Sequence, residues 1–227
     1  MASITKLSES ENELLLTFLK IYDLKEYKVI RTTSKSWVEH PRIVVFDKKN
    51  NYYYKIFSNI TKEIKKYDHV FLNNAHFPNH LVTSVIKDNM WIVKQSVPKG
   101  VLLSDILRNK NTVNDKIIDN MLDNLLWAKN EAQRIFSDPI KNKLWDFSAG
   151  DSSAGNIIYD IQMNTATNID IESSTWRTKE EYLKHTFNRF LKHFNNWNGY
   201  SHCNFLPILK VPKLLDRCLT FVNKEIL

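Results

Sequence analysis

Asp151 and Asn156 stand five apart in the segment AGDSSAGNIIYD (residues 149–160), and Asp170 follows in NIDIES after a strand-like run. The chain has only four glycines, and two of them, Gly150 and Gly155, fall in that one segment. Aspartate and asparagine offer hard oxygen donors. Mg²⁺ takes a few such oxygens from protein and keeps several waters. Asn156 opens the outgoing strand of a hairpin and Asp170 ends its return strand. The turn QMNTA therefore brings the two ends within reach of one metal ion, with Asp151 just upstream. Transfer of a phosphoryl group from a nucleotide needs positioning and charge neutralisation more than covalent chemistry, and this set of groups suits it. The same residues also suit a polar turn. Types and spacing leave both readings open.

The surrounding elements must position these groups. Residues 8–21 open with Ser8 and Glu11 at capping-box spacing, then turn apolar, which predicts a first helix. KVIRTTSKSW and RIVVFDKKNNYYYKIF follow as strands, the second a hairpin turning at Asp47–Asn51. A helix is expected over Ser58–Asn73, where Ile64, Tyr67, Phe71 and Leu72 fall at roughly helical spacing. HLVTSVIKDNMWIVKQSV reads as a second hairpin turning at Lys87–Asn89. Pro98–Gly100 breaks it, and VLLSDIL starts a short helix. Asn114–Phe136 carries Ile117, Ile118, Met121, Leu122, Leu125, Leu126 and Ala128 largely on one stripe, the mark of an amphipathic helix. After the hairpin that ends in NIDIES, Thr178 and Glu181 form another capping-box pair, and the remainder to Leu227 reads as helical and basic. Strand-rich sequence first and helix-rich sequence second predict an α+β fold of two unequal lobes, residues 1–96 and 97–227.

Composition narrows the setting. At 227 residues and 43% hydrophobic content the chain can bury a real core. No apolar run reaches the length of a membrane span, and the first residues do not read as a signal peptide. Cys203 and Cys218 lack disulfide-framework and metal spacing, so free thiols and a cytoplasmic location are expected, the host cytoplasm if the source is viral. A formal charge of +7 favours anionic partners without naming one. The basic stretch KHTFNRFLKHF reads as a solvated helix face or a surface for such a partner. Ser152 and Ser153 lack a nucleophile-elbow context.

The order of these motifs resembles the protein-kinase-like superfamily, and within it the aminoglycoside phosphotransferase and choline kinase branch. That branch carries H-G-D-x-x-x-x-N, a hairpin, then I-D-F/W-E; this chain carries AGDSSAGN and NIDIES. The resemblance implies a bilobal kinase-like fold with a small antiparallel-sheet N-lobe and a mainly helical C-lobe. It implies that Asp151 is the catalytic aspartate and that Asn156 and Asp170 hold Mg²⁺. It further implies that Lys55 of YYYKIF contacts the phosphates of ATP or GTP, with Glu63 as its ion-pair partner. The backbone of Gln95 and Val97 would meet the base. Ser34, Lys35 and Ser36 of TTSKSWVEHPR would cover the phosphates. Two departures stand out. Ala149 replaces the family histidine, and TTSKSWVEHPR has no glycine to let backbone N–H groups approach phosphates closely. The implied activity is transfer of a phosphoryl group to a hydroxyl of a small molecule or a protein. A pseudokinase that binds nucleotide or scaffolds partners through its basic helical lobe is the alternative. No A-P-E segment follows Asp170, which argues against a conventional protein kinase.

Overall fold

The computed structural model describes residues 7–31, 42–58, 64–108, 115–136, 143–146, 154–171 and 175–182, together with 184, 217, 220, 221, 223 and 224. The chain divides into two compact units, Met1–Val97 and Pro98–Leu227. The architecture is α+β, in keeping with the order of strand and helix patterns in the sequence.

The first unit is built on a five-stranded antiparallel sheet, made of β1 (Tyr27–Arg31), β2 (Arg42–Asp47), β3 (Tyr52–Ser58), β4 (Val82–Lys87) and β5 (Met90–Ser96). Their order across the sheet is β1-β2-β3-β5-β4. The turns are set by residues that tolerate left-handed backbone. Asn51 closes the β2–β3 turn at φ 59°, and Asp88 and Asn89 make the β4–β5 turn at φ 48° and 58°. Asp47 also ties its turn together, with its carboxylate accepting the backbone N–H groups of Lys49 and Asn50, each at 3.1 Å.

Helix α1 (Glu9–Ile21) starts on the expected capping box. Ser8 Oγ accepts the amide of Glu11 at 3.2 Å, and the Glu11 carboxylate accepts the amide of Ser8 at 2.8 Å. Its Leu14, Leu15 and Phe18 pack on Ile43, Val45, Tyr54, Ile56, Met90 and Ile92, which point to one face of the sheet. Apolar area removed from water, at about 25 cal/mol per Å², stabilises this layer. The opposite face carries α2 (Ile64–Asn74), which packs on β4. The helix expected from Ser58 begins later, because Ser58 still pairs with Met90 in the sheet; positions 59–63 lie outside the described residues.

Strand β4 is an edge of the sheet, and its middle is closed by a side chain. Asn73 of α2 donates to the carbonyl of Ser84 at 2.9 Å and accepts the Ser84 amide at 2.7 Å. One carboxamide thus does the work of an adjacent strand residue, which blunts an edge that would otherwise invite pairing with another chain. Beside it, Trp91 Nε1–H donates to Ser84 Oγ at 3.2 Å. Ser84 Oγ is also in short hydrogen-bond contact with His69 Nδ1. Burial pushes the pKa of His69 below the ordinary histidine value.

The second unit contains β6 (Val101–Leu102), α3 (Leu103–Arg108), α4 (Asp115–Ile135), β7 (Lys143–Asp146), a 3-10 turn Ala154–Asn156, β8 (Ile157–Asp160), β9 (Thr165–Asn168), β10 (Thr175–Thr178) and α5 (Lys179–Tyr182). The segment VLLSDIL does not enter its helix at once. Val101 and Leu102 first pair with Tyr159 and Ile158, and the helix starts at Leu103. Gly100 makes that pairing possible: at φ +122° a Cβ on it would lie 2.3 Å from the Tyr159 carbonyl oxygen. The stripe on α4 buries Ile117, Leu122, Leu125, Ala128 and Ala132, and α4 packs on β7 and β9. Strand β7 pairs with β10 in antiparallel register. Trp145 and Trp176 meet across that pair with ring centroids 5.1 Å apart, and Phe136 at the end of α4 completes the cluster. Glu181 caps α5 through the Thr178 amide at 2.8 Å, as the capping-box spacing predicts.

The Asn73 plug yields a direct test. Asn73→Leu leaves two backbone groups of a buried serine without their partner, a loss of about 1–3 kcal/mol per unmet group. Denaturant unfolding should show a fall of that size, and sedimentation should show concentration-dependent association through the opened edge. An unchanged midpoint would remove the plug from the account.

Candidate functional site

The hairpin of the second unit brings two of the sequence-derived candidates together. Strands β8 and β9 pair in register from Asp160↔Thr165 back to Ile157↔Asn168. The ladder runs one bond further, the amide of Ile169 donating to the Asn156 carbonyl at 2.9 Å. Asn156 Nδ2 then donates to Asp170 Oδ2 at 3.4 Å. Asp170 lies just beyond β9 rather than within it. Ile157 and Ile171, next to the two polar residues, are buried and anchor them, while Asn156 and Asp170 themselves stay half-buried. The donor set is one carboxylate and one carboxamide on a shared rigid support. A half-turn of the Asn156 carboxamide presents its Oδ1 beside the Asp170 oxygens. Two oxygens of this kind fit a hard cation that retains most of its water.

Lys55 lies in the first unit, in the middle of β3. Side chains directly opposite each other in an antiparallel ladder share a face, so the register places Val44, Lys55, Val93 and Ser84 in one row across four strands. The next row on the same face is Phe46, Tyr53, Gln95 and Val82. Lys55 is half-buried. Its charge reaches His80, in the segment leading into β4. Burial foremost, and the Lys55 ammonium second, push the pKa of His80 down to about 4. His80 is therefore a neutral imidazole at physiological pH. Neither of its ring nitrogens has a hydrogen-bond partner among the described residues.

Gln95 and Val97 were expected to meet a base through their backbone. Gln95 sits in the ladder between Tyr53 and Val82, and an inner strand directs each backbone polar group at one neighbour or the other. The amide of Val97 donates to the Asn51 carbonyl at 3.2 Å. What the sheet leaves over at Gln95 is its side chain: the residue is 1% exposed, and Nε2 is buried with no partner among the described residues. Asp151, Glu63, Ser34, Lys35 and Ser36 lie outside the described residues.

Sequence reading missed His80, the side-chain capacity of Gln95, and Asp68, a fully buried carboxylate on α2. Strand pairing reveals Gln95, and burial in the segment before β4 reveals His80. Asp68 had a visible signal, since it precedes Phe71 by three and Leu72 by four on the apolar stripe of the helix.

No protein-family model matches the chain, and none of the curated proteins compared with it matches. Solved structures similar to it include the kinase PK-1 of the Cydia pomonella granulovirus, at 15% identity and TM-score 0.45 over 77% of this chain and 67% of that one. Rad53 in complex with AMP-PNP is similar at 12% identity and TM-score 0.43, over 65% of this chain and 38% of that one. The autoinhibited serine kinase domain of the giant muscle protein titin is similar at 12% identity and TM-score 0.44, over 66% of this chain and 46% of that one. The chain thus spans less than half of the last two. Among the described residues no helix is long and apolar enough to cross a membrane.

The environment of His80 sets a pH dependence. Its folded pKa of about 4 lies below the ordinary 6.5. The unfolded chain therefore takes up a proton that the folded chain resists. Stability from this residue is complete above pH 6.5 and is lost as pH falls toward 4, by about 3 kcal/mol at 1.36 kcal/mol per pKa unit. In His80→Leu the unfolding free energy should flatten across that window. In Lys55→Met the imidazole, followed by NMR, should titrate at higher pH. An imidazole that titrates near 6.5 in the wild type would refute this description.

Proposed function

We propose that the chain is a Mg²⁺-dependent phosphotransferase of the protein-kinase-like superfamily, moving the terminal phosphoryl group of ATP or GTP to a hydroxyl. The acceptor class is a small-molecule alcohol, with a protein hydroxyl as the second candidate. The observation that carries the reading is the Asn156–Asp170 pair, hydrogen-bonded at the foot of a hairpin and preceded in sequence by Asp151. Placement in the aminoglycoside phosphotransferase and choline kinase branch rests on the D-x-x-x-x-N and I-D-I-E segments alone.

In this reading Asp170 and Asn156 hold the metal, which neutralises charge on the phosphates when bound. Lys55 adds a second positive charge on the phosphates. The ordered strand that carries it removes much of the positioning entropy from the reaction. Asp151 orients the acceptor hydroxyl and takes its proton as the oxygen bonds to phosphorus and the bridge to the leaving diphosphate breaks. Glu63 orients Lys55, and Ser34, Lys35 and Ser36 cover the phosphates. A pseudokinase is the second reading, favoured by Ala149 and by the glycine-free TTSKSWVEHPR segment. Its anionic partner would lie on the basic C-terminal stretch.

Two substitutions separate the roles. Asp170→Asn changes charge with little change in volume. It should abolish the Mg²⁺-dependent part of nucleotide stabilisation in a thermal-shift series while the unliganded melting temperature stays put. Unchanged Mg²⁺-nucleotide affinity would sink the metal assignment. Asp151→Asn should retain nucleotide binding and cut turnover by about 10²–10⁴-fold, the usual contribution of a positioned acid or base. Turnover is followed by release of labelled phosphate or diphosphate with a broad acceptor mixture present, and equal rates in the two proteins would exclude Asp151 from catalysis. A wild type that binds nucleotide without turnover favours the pseudokinase.

A further inference from the structure

Strands β7 and β10 close a loop. The ladder pairs Thr175 with Asp146 and Trp176 with Trp145, so the chain returns at residue 175 to the place it left at residue 146. Asp151, Asn156 and Asp170 all lie between those two points. Asp170 stands five positions before Thr175, a reach of at most about 17 Å of extended chain. Four-residue strands hold each other weakly. Three rings reinforce this pair. Trp145 and Trp176 are opposite each other and so share a face, with their planes 64° apart. Phe136 stands 5.1 Å from Trp145 and 5.4 Å from Trp176, centroid to centroid, with planes inclined by 50° and 67°. Trp145 is buried, and Trp176 is half-buried.

We propose that this aromatic cluster positions the Asn156–Asp170 pair, with Trp176 as the residue that fixes the chain on the downstream side of Asp170. In its consequence for Mg²⁺ the inference rests on the phosphotransferase reading above. Three observations converge on it. Helix α4 is a common wall: it packs on β9, which leads into Asp170, and on β7, which holds β10. Phe136 continues α4 directly, its amide donating to the Ala132 carbonyl at 2.9 Å. The ring that meets Trp176 therefore belongs to the same body that supports β9. The direct bond from Asn156 to Asp170, at 3.4 Å, is too long to set the direction of the carboxylate by itself. A carboxylate held from its upstream side alone can swing about the chain. Held from both sides, it keeps its oxygens on one place, and a cation then has less freedom to remove. Tilted ring contacts are directional as well as apolar, which suits a cluster whose effect is orientation. Trp176 acts through Asp170, as a positioning residue.

The test compares the full wild-type chain with Trp176→Leu, which stays apolar but loses the ring contacts, and with Trp176→Phe, which keeps a ring. The first measurement needs no ligand and follows amide hydrogen exchange by NMR. In Trp176→Leu the Ile169 amide, which donates to the Asn156 carbonyl, should exchange about tenfold faster. The amides of Leu125 and Ala128, buried in the middle of α4, should keep their wild-type rates. Equal acceleration at all three would mean general destabilisation and would overturn the inference, as would an unchanged Ile169 rate. The second measurement is calorimetric titration with ATP, in Mg²⁺ and in EDTA. Affinity in Mg²⁺ should fall by about 10- to 100-fold, the range for groups that orient metal ligands, and affinity in EDTA should not change. Trp176→Phe should recover both the Ile169 rate and the affinity in Mg²⁺. An equal fall in EDTA would overturn the positioning role, and so would faster Ile169 exchange with affinity in Mg²⁺ unchanged. A wild type that binds no Mg²⁺–ATP overturns the nucleotide reading, and the exchange rates alone then decide whether the cluster positions the pair. Should Trp176→Leu fail to fold, Phe136→Leu removes the third ring at similar volume and carries the same expectations.

Discussion

The register of β3 between β2 and β5 is the constraint on which the first unit depends. A strand side chain faces one side or the other with a period of two, so a slip of one residue would exchange the faces. In the observed register Tyr54 and Ile56 enter the core beneath α1, and Lys55 emerges on the face that carries α2. Slipped by one, Lys55 would lie under α1 among Ile43, Val45 and Ile92. An ammonium there would have to lose its charge or its hydration. The apolar face and the face that carries Lys55 therefore specify one another, and the turn residues Asn51, Asp88 and Asn89 lock the choice.

The second unit solves its positioning problem with the same device at smaller scale. A four-residue strand pair holds Asn156 and Asp170 fourteen positions apart in sequence and one hydrogen bond apart in space. Short strands alone hold weakly. Here α4 packs on β9, and Gly100 lets β6 pair with β8 on the other side. The polar pair is consequently fixed by buried Ile157 and Ile171 rather than by its own hydrogen bond, which at 3.4 Å is a long one. Under the proposed function that order of dependence suits a metal-holding pair, since its oxygens can exchange partners without disturbing what places them.

Features carried by local chemistry were legible in the sequence. Both capping boxes, both hairpin turns of the first unit, the stripe on α4 and the hairpin between Asn156 and Asp170 follow from spacing or turn chemistry. What escaped was set by partners far away in the chain. Strand β7 is a strand because β10 pairs with it, and the segment Lys143–Asp146 alone carries no alternation strong enough to say so. Val101 and Leu102 read as the start of a helix and are held in a strand by Ile158 and Tyr159. Ser58 fits a helix start and is claimed by Met90. In each case a ladder of hydrogen bonds outweighed a propensity difference of a few tenths of a kcal/mol.

The same logic explains why the interior polar groups gather where they do. His80 and Gln95 lie inside the first unit, each with a buried nitrogen lacking a partner among the described residues, and both belong to the half of the sheet toward which Lys55 sends its charge. A core chosen for stability alone would place leucine at both positions and lose nothing, because replacing an unmet buried polar group with an apolar one of like size is neutral or favourable. On the α1 side of this same sheet Asp47 and Glu11 are buried carboxylates, and both accept backbone amides, Asp47 those of Lys49 and Asn50 and Glu11 that of Ser8. The α1 face thus meets its buried carboxylates with backbone donors, whereas Gln95 Nε2 on the Lys55 face has no partner among the described residues.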